Sequence, residues 1–405
     1  MELNPGYKKT EVGVIPKQWE ARALQDGIKL LSGHHVLAKH CNTDGRGFPY
    51  ITGPADFPKG VIQHSKFTEK PTTICRANDI LVTVKGSGAG TMVLSDAEYC
   101  ISRQLMAVRV TAWDTAYIYS SLLQDSSLFG AAATGLIPGL SRGDILKKQI
   151  AVPPLPEQRA IAGVLSDVDE LLGSLDQLIA KKCDLKQATM QQLLTGQTRL
   201  PGFSGEWEVK RLGELAEIVS GGTPKTSEPS YWAGSVKWCT PTDITGCSGN
   251  YLFETERTIS RDGLASCSAQ LLPVGSLLLC SRATIGEVRI AGCEICTNQG
   301  FKSLVCKPGV SNEFLYYKLL TMKSQMVERA IGSTFLEISK KDTAALELTV
   351  PEHGEQTAIA EVLSDMDAEL AALEQRRDKT RSLKQGMMQE LLTGRIRLVK
   401  PEAVH

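Results

Sequence analysis

The sequence predicts an α+β protein with two mixed α/β domains, a pair of long antiparallel coiled-coil helices and a pseudo-two-fold internal repeat. Three observations lead to this fold. A segment of about 44 residues occurs twice, with about 25 identical positions. Both copies place apolar residues at the spacing of a long helix. The segments ahead of the copies alternate short strand-like and helix-like stretches and share only scattered residues.

The repeat has an offset of 198 residues. Glu157-Gln158 recurs as Glu355-Gln356, and the Leu-Leu-Thr-Gly that ends at Gly196 recurs with its end at Gly394. The preceding segments match at offsets of 187 to 198 in single residues: Trp19 with Trp207, Pro54 with Pro241, Asp56 with Asp243, Gln104 with Gln299, and Ser141 with Ser339. We expect the copied parts to perform one task twice and the divergent parts to perform two different tasks.

The first copy has the features of a single long helix. Pro156 suits its start, because proline lacks the amide proton that a first helical turn leaves unpaired, and Gly196 suits its end. A heptad seam is predicted at Ile161, Val164, Val168, Leu171, Leu175, Leu178 and Leu185. A flanking stripe is predicted at Leu165, Leu172, Ile179 and Leu193. About 38 residues would give a rod of about 57 Å.

The second copy repeats this pattern, although Arg376 and Arg377 interrupt the later half of its stripe. Two such helices in one chain can pair with each other in antiparallel orientation, or they can mediate ordinary dimerisation. Their equal length and number favour pairing within the chain.

These patterns divide the chain into five segments. We expect a first globular domain over residues 1–155, a first long helix and linker over 156–200, a second globular domain over 201–352, a second long helix over 353–398 and a C-terminal tail over 399–405. Each globular domain has about 150 residues, which is an ordinary domain size.

Composition predicts a soluble globular protein. Hydrophobic residues make up 42% of the chain and charged residues 22%. No secretory signal is predicted at the N-terminus, and no apolar run approaches the roughly 18 residues of a membrane span. We therefore expect a cytoplasmic protein.

The 11 cysteines are expected to be reduced thiols, as is usual in the cytoplasm. Cys293 and Cys296 form a Cys-x-x-Cys pair, but the sequence offers neither a second close pair nor a histidine at zinc-finger spacing. We predict no metal site, and a zinc site at this pair is the less favoured alternative.

The charge balance limits how the chain can bind nucleic acid. Lys and Arg total 45, and Asp and Glu total 45. Residues 1–156 carry 17 basic against 13 acidic residues, whereas residues 201–354 carry 15 against 17. Because phosphate contacts need Lys and Arg, DNA binding would depend on local basic loops, with a partner supplying the rest.

Polar loops beside the predicted strands are the candidate DNA contacts. Small residues let backbone N–H groups approach phosphate, Lys and Arg neutralise it, and Asn, Gln and Arg can pair with base edges. The candidates are Ser32, Gly33, His34, His35, Lys85, Gly86, Ser87, Arg103, Gln104, Ser141 and Arg142 in the first domain, and Gly221, Gly222, Thr223, Lys225, Thr240, Ser281, Arg282, Asn298, Gln299, Lys302 and Lys340 in the second. Plain turns, and a glutamine that fixes a turn, are the alternatives.

The sequence lacks a convincing catalytic motif. Methylation of an amino group uses Asn or Asp before Pro-Pro and an aromatic ring, whereas Val152-Pro153-Pro154-Leu155 has neither the amide nor the ring. The stretch 221–226 has the wrong spacing for a phosphate-binding loop, and the histidines fit no ligand or triad pattern. We predict that the chain is not an enzyme by itself.

Motifs at the starts of the domains and helices form a set. They comprise Gly13-Val14-Ile15-Pro16 with Trp19-Glu20, the Ser-Gly-Gly-Thr-Pro at 220–224, Asn298-Gln299-Gly300, and the Pro-Pro-Leu-Pro-Glu-Gln at 153–158 ahead of the copied helix. This set resembles specificity subunits of type I restriction-modification systems over essentially the whole chain. The departures are His34-His35 in place of a Gly-Thr-Pro, and Pro351-Glu352-His353-Gly354 in place of a fuller proline run.

The resemblance implies a non-catalytic subunit with two target-recognition domains, each reading one half of a bipartite, asymmetric DNA target. The paired helices would set the spacer and dock two methyltransferase (modification) subunits and, through them, two restriction/translocase subunits. S-adenosylmethionine, ATP and Mg are expected on those partners, and no cofactor is expected on this chain. The assembly would act in defence against foreign DNA.

Two alternatives stay open at this stage. A specificity subunit of a methylation-only system would read DNA in the same way without a nuclease partner. A coiled-coil scaffold would use its two domains to bind proteins and would not recognise DNA.

Overall fold

The chain folds into two compact units, and unit 1 is discontinuous in sequence. The computed structural model describes residues 5–86, 88–124, 139–332 and 336–399. Unit 1 comprises Met1–Ser174 and Arg377–His405, and unit 2 comprises Leu175–Arg376. Each unit therefore contains one globular domain together with part of each long helix.

The described part of unit 1 is a mixed α/β fold with two main sheets. Its strands are β1 (Tyr7–Thr10), β2 (Gly13–Pro16), β3 (Glu20–Ala23), β4 (Ile28–Ser32), β5 (Cys41–Asn42), β6 (Phe48–Ile51), β7 (Phe67–Thr68), β8 (Ile74–Cys75), β9 (Ile80–Thr83), β10 (Met92–Leu94), β11 (Tyr99–Ile101), β12 (Leu105–Val110) and β13 (Gln149–Val152). An antiparallel sheet has the order β10-β9-β12-β4, and a mixed sheet has the order β5-β7-β6-β11-β8. Its helices are α1 (Thr115–Gln124), α2 (Arg142–Leu146) and the start of α3 (Leu155–Leu193).

Unit 2 repeats this plan. Its strands are β14 (Glu208–Arg211), β15 (Ala216–Ser220), β16 (Trp232–Cys239), β17 (Tyr251–Leu252), β18 (Arg257–Ile259), β19 (Leu277–Leu279), β20 (Val288–Ala291), β21 (Cys296–Thr297), β22 (Lys302–Cys306) and β23 (Glu347–Val350). The main sheets have the orders β15-β22-β19-β20-β17 and β18-β16-β21. The helices are α4 (Leu212–Leu215), α5 (Pro241–Gly246), α6 (Arg261–Ala265), α7 (Asn312–Leu320), α8 (Lys323–Glu328), α9 (Lys340–Ala344) and α10 (His353–Leu391).

The same strand pairings recur in the two units. β4 pairs with β12 in antiparallel orientation as β15 does with β22, and β6 pairs with β11 in parallel orientation as β16 does with β21. The short ladder of β3 and β13 matches that of β14 and β23. The predicted fold class and internal repeat are therefore confirmed.

Apolar runs in the sequence explain the central strands. β9 reads Ile-Leu-Val-Thr and β19 reads Leu-Leu-Leu, and every residue of both strands is buried. A short, continuous apolar run is what a strand covered on both faces requires. These strands lie next to β12 and β22, and the cores of both units form around them.

The two long helices run antiparallel within each unit. In unit 1, Lys384 of α10 forms an ion pair with Asp169 of α3 at 2.6 Å. In unit 2, Lys182 contacts Glu369 at 2.7 Å, and Lys186 contacts Asp367. Residues with increasing numbers on α3 contact residues with decreasing numbers on α10. Antiparallel pairing within the chain is therefore confirmed.

The predicted seam of α3 was partly wrong. Leu171, Leu178 and Leu185 were placed in the seam but have exposed fractions of 39%, 39% and 51%. The buried and half-buried face instead runs through Ile161, Leu165, Val168, Leu172, Leu175, Ile179, Lys182 and Lys186. Leucines fit either phase, and in the structure Leu175 and Ile179 are buried on the contact face, where Lys182 and Lys186 also pair with carboxylates of α10. Among the described residues, no helix has the length and apolar character needed to span a membrane.

Candidate nucleic-acid interface

Two polar segments of unit 1 meet beside the main sheet. We call them loop 32–37, which follows β4, and turn 102–104, which precedes β12. The Gly33 amide donates to the Leu105 carbonyl at 3.0 Å, and the His34 amide donates to the Ile101 carbonyl at 3.2 Å. A Cβ atom on Gly33 would lie 2.0 Å from the Ser102 carbonyl oxygen, so only glycine permits this approach.

Turn 102–104 presents two exposed side chains. The buried Ser102 hydroxyl donates to the Thr52 carbonyl at 2.6 Å and accepts from the Gln104 amide at 3.1 Å. Arg103 and Gln104 are exposed, and together with His35 they line a groove of about 400 Å³. The turn therefore offers a guanidinium and an amide beside an imidazole.

Unit 2 has the equivalent pair of segments, loop 220–225 after β15 and turn 298–300 before β22. The Gly222 amide donates to the Thr297 carbonyl at 2.9 Å. A Cβ atom on Gly221 would lie 2.0 Å from the Asn298 carbonyl oxygen, which repeats the close approach of the first unit. The Asn298 side chain accepts from the Gly300 amide at 2.8 Å and so fixes the turn, while Gln299 is exposed.

The two surfaces share a backbone plan but differ in side chains. The first carries His34, His35, Arg103 and Gln104, whereas the second carries Thr223, Lys225 and Gln299. Direct reading of bases depends on the identity of such side chains at groove edges. One framework with two unlike sets of polar groups suits the recognition of two different sequences.

Some predicted contacts have internal roles instead. Gly221 and Gly222 are buried, and the Gly222 amide is already used by a carbonyl, so these glycines shape the loop and do not offer their amides to phosphate. Ser141 caps α2 through Asp144 at 3.2 Å. Thr240 starts α5 by donating its amide and hydroxyl to Asp243, each at 2.7 Å.

Burial removes two further candidates, Lys302 and Ser281, from the surface. The Lys302 side chain is only 8% exposed and contacts Glu337 at 3.1 Å, and Ser281 is fully buried. Arg282 also donates to Glu337, at 2.7 Å. Burial raises the pKa of Glu337, but hydrogen bonds from Arg282 and Lys302 outweigh it, and the pKa lies below its usual value. The predicted DNA contacts at Lys302 and Ser281 are corrected: Lys302 is a buried cation paired with Glu337, and the Ser281 side chain is buried, so neither can reach phosphate.

The remaining candidates are dispersed. Lys85, Gly86 and Lys340 are exposed and lie outside the two paired loop and turn surfaces. Ser87 lies outside the described residues. Arg142 donates to the Ser32 hydroxyl at 3.2 Å and the Leu30 carbonyl at 2.9 Å, and so fastens α2 to the base of loop 32–37.

Comparison with known proteins identifies the family. The family model described as "Type I restriction modification DNA specificity domain" matches residues 16–181 and 204–380. The chain belongs to this family. It is a type I specificity subunit and recognises DNA. Each matched segment corresponds to one copy of the internal repeat.

Relatives of this specificity subunit occur in an archaeon. The MjaIX specificity subunit of Methanocaldococcus jannaschii is 38% identical over 164 residues, which cover 40% of this chain and 38% of that protein. The putative MjaX specificity subunit of the same organism is 24% identical, with 97% of each chain covered.

Two solved structures share the fold. A type I S subunit from M. genitalium has a TM-score of 0.62 at 19% identity, covering 96% of this chain and 98% of that one. A chain from a structure titled for complex assembly and conformational transition of the type I R-M system has a TM-score of 0.57 at 17% identity, covering 94% and 99%.

The sequence did not predict a buried glutamate in each unit that binds a tryptophan and an arginine. We call each of these three-residue groups a clamp. Glu157 is fully buried and accepts from Trp19 at 2.9 Å and from Arg397 at 2.7 Å. In unit 2, Glu355 accepts from Trp207 at 3.2 Å and from Arg199 at 2.6 Å. The arginines share the 198-residue offset of the repeat, so that offset was the signal available in the sequence.

Proposed function

We propose that this specificity subunit reads a bipartite, asymmetric DNA target, with one half read by each unit. The observation that carries the proposal is the pair of equivalent surfaces at loop 32–37 with turn 102–104 and at loop 220–225 with turn 298–300. Their backbones follow one plan, and their exposed side chains differ. Asn, Gln and Arg at such positions can distinguish base pairs in the major groove.

The subunit is further proposed to be non-catalytic and to hold two methyltransferase subunits on its long helices, with two restriction/translocase subunits joined through them. S-adenosylmethionine, ATP and Mg would then be bound by those partners, and the assembly would act in the cytoplasm, where its DNA substrate lies. In unit 2 the exposed Leu178 and Leu185 of α3, here called the leucine row, supply apolar surface for docking, and in unit 1 the exposed Leu171 and Leu383 supply similar surface.

The defining experiment maps modified adenines by long-read sequencing in the host, with and without this gene. We expect one motif made of two specified segments separated by an unspecified spacer of fixed length. A single uninterrupted motif would contradict two independent readers. An unchanged adenine pattern on loss of the gene would contradict the proposed function altogether.

Docking can be tested on the leucine row. Leu178→Glu should reduce co-purification of the methyltransferase at least tenfold, because a carboxylate would be buried in an apolar contact. The change should leave the free energy of unfolding within about 0.5 kcal/mol, since the side chain is exposed in the free subunit. Val209→Glu, at an exposed apolar residue of strand β14 and so outside the sequence of the long helices, is the matched control and should co-purify normally. Equal recovery with both variants would count against the row as the docking surface.

A further inference from the structure

Loop 220–225 is held in one conformation by two tryptophans. The Trp238 indole N–H donates to the Gly222 carbonyl at 2.9 Å, and the Trp232 indole N–H donates to the Lys225 carbonyl at 3.2 Å. The two rings pack edge to face with centroids 5.1 Å apart, and the Arg257 guanidinium lies 3.8 Å from the centroid of the Trp232 ring. A loop fixed in this way loses little conformational entropy when a ligand binds.

The orientation of the Gln299 amide is also set before binding. Turn 298–300 is anchored by the Asn298 amide, which donates to the Cys239 carbonyl at 3.0 Å, and by the bond from Gly300 to the Asn298 side chain. The Thr223 hydroxyl donates to Gln299 Oε1. The amide NH₂ has no partner assigned in the described structure, and Oε1 retains one lone pair.

An amide held in this orientation matches one base better than the others. Adenine presents the N7 acceptor and the N6 amino donor in the major groove, and a glutamine can bind both at once. Guanine presents two acceptors at the same edge and so cannot use the lone pair of Oε1. Resting on the proposed function, we propose that Gln299, positioned by Thr223, reads an adenine in the half-site recognised by unit 2.

Unit 1 differs at both positions. His35 lies at the position equivalent to Thr223, and the exposed Arg103 precedes Gln104. Among the described contacts, no hydroxyl donates to the Gln104 amide. Gln104 is therefore the matched control: it is the same residue at the equivalent turn, without the preset orientation.

The test uses the full chain with the methyltransferase subunit of its host and duplexes carrying the mapped target. Each adenine of the unit 2 half-site is replaced in turn by 7-deazaadenine, which lacks the N7 acceptor. One replacement should weaken binding by the wild-type complex roughly 5-fold to 150-fold, as for a lost bidentate contact. The same replacement should have no further effect on Gln299→Ala.

Substitutions at Thr223 and Gln104 distinguish an effect on base recognition from an effect on folding. Thr223→Val should weaken discrimination at that adenine, and Thr223→Ser should restore it, because serine keeps the hydroxyl. Gln104→Ala should leave this half-site unaffected. If no adenine shows the coupled loss, or if the losses from Gln299→Ala and 7-deazaadenine add, the assignment is overturned. If the wild-type complex shows no sequence preference in either half-site, the result contradicts the proposed function itself and not only the assignment of Gln299.

Discussion

At the scale of single residues, Glu157 and Glu355 hold equivalent ion-pair clamps in the two units. Each carboxylate is buried and receives an indole N–H and a bidentate arginine. The arginine of each clamp follows the helix of the other repeat: Arg397 comes after α10 and binds in unit 1. The identity of all three residues is therefore constrained twice in one chain.

Arg397→Ala should destabilise unit 1 by about 3–5 kcal/mol, because it leaves a buried carboxylate without its counter-charge. Arg199→Ala should also destabilise unit 2, because Glu355 is buried and loses its bidentate partner. Hydrogen exchange resolved along the sequence measures both effects. Faster exchange in residues 5–124 for Arg397→Ala, and in 207–350 for Arg199→Ala, is expected. The same exchange pattern for both variants would refute independent clamps.

Glu337 gives a pH-dependent prediction. Its lowered pKa means that its contribution to stability is present above its unfolded-state pKa and is lost as the pH falls through the lower folded-state pKa. Glu337→Gln should therefore cost about 2 kcal/mol at neutral pH and progressively less below about pH 4. Urea unfolding of both proteins at several pH values tests this. A difference that does not change with pH would contradict the ion-pair interpretation.

At the scale of elements, the long helices are held in register by charge as well as by apolar contacts. Lys182 and Lys186 lie in the contact face of α3 and meet carboxylates of α10. Lys384 does the same with Asp169 in unit 1. Because these pairs fix the register, a change of length in one helix alone would break them.

Inserting one heptad near Leu172 of α3 together with one near Arg381 of α10 preserves the pairing phase. If the helices set the spacer, the tolerated spacer should lengthen by about 3 base pairs, since a heptad adds about 10.5 Å. Both specified half-sites should stay the same. The methylated motif of the host reports both quantities. Methylation only at the original spacing would contradict the proposal that the helices set the length of the spacer.

At the scale of the whole molecule, two globular domains are built on one repeated framework. Each unit combines its globular domain with helical segments that belong to both repeats. The buried Leu391, at the end of α10, belongs to the main core of unit 1. The buried Leu193, at the end of α3, belongs to the main core of unit 2. The domains can therefore diverge at their loops while the shared framework stays constant.

Replacing residues 207–350 with the equivalent segment of a relative should change one half of the methylated motif and leave the other half unchanged. The exchange leaves the clamp residue Glu355 and both long helices in place. The incoming segment must carry a tryptophan at position 207, because the Trp207 indole donates to Glu355. Altered specificity in both halves, or in neither, would show that the units do not read independently.

The sequence alone determined the repeat, the mixed α/β class, the two long helices and the positions of the polar turns. These features depend on local periodicity and on identity between the copies, which are visible along the chain. Gln104 and Gln299 were predicted as candidate base contacts, and the structure places both in exposed turns that precede strands. The actual DNA contacts stay predictions.

Only the tertiary structure decided which of these residues are free to act. The phase of α3 depended on its packing against α10, which lies almost 200 residues away along the chain. Lys302 and Ser281 were found to be buried because Glu337 and the neighbouring strands cover them. Arg397, near the end of the chain, was found to bind Glu157 in unit 1, which also contains the first globular domain. Burial and long-range pairing depend on which distant segments meet, and a pattern read along one strand or helix does not contain that information.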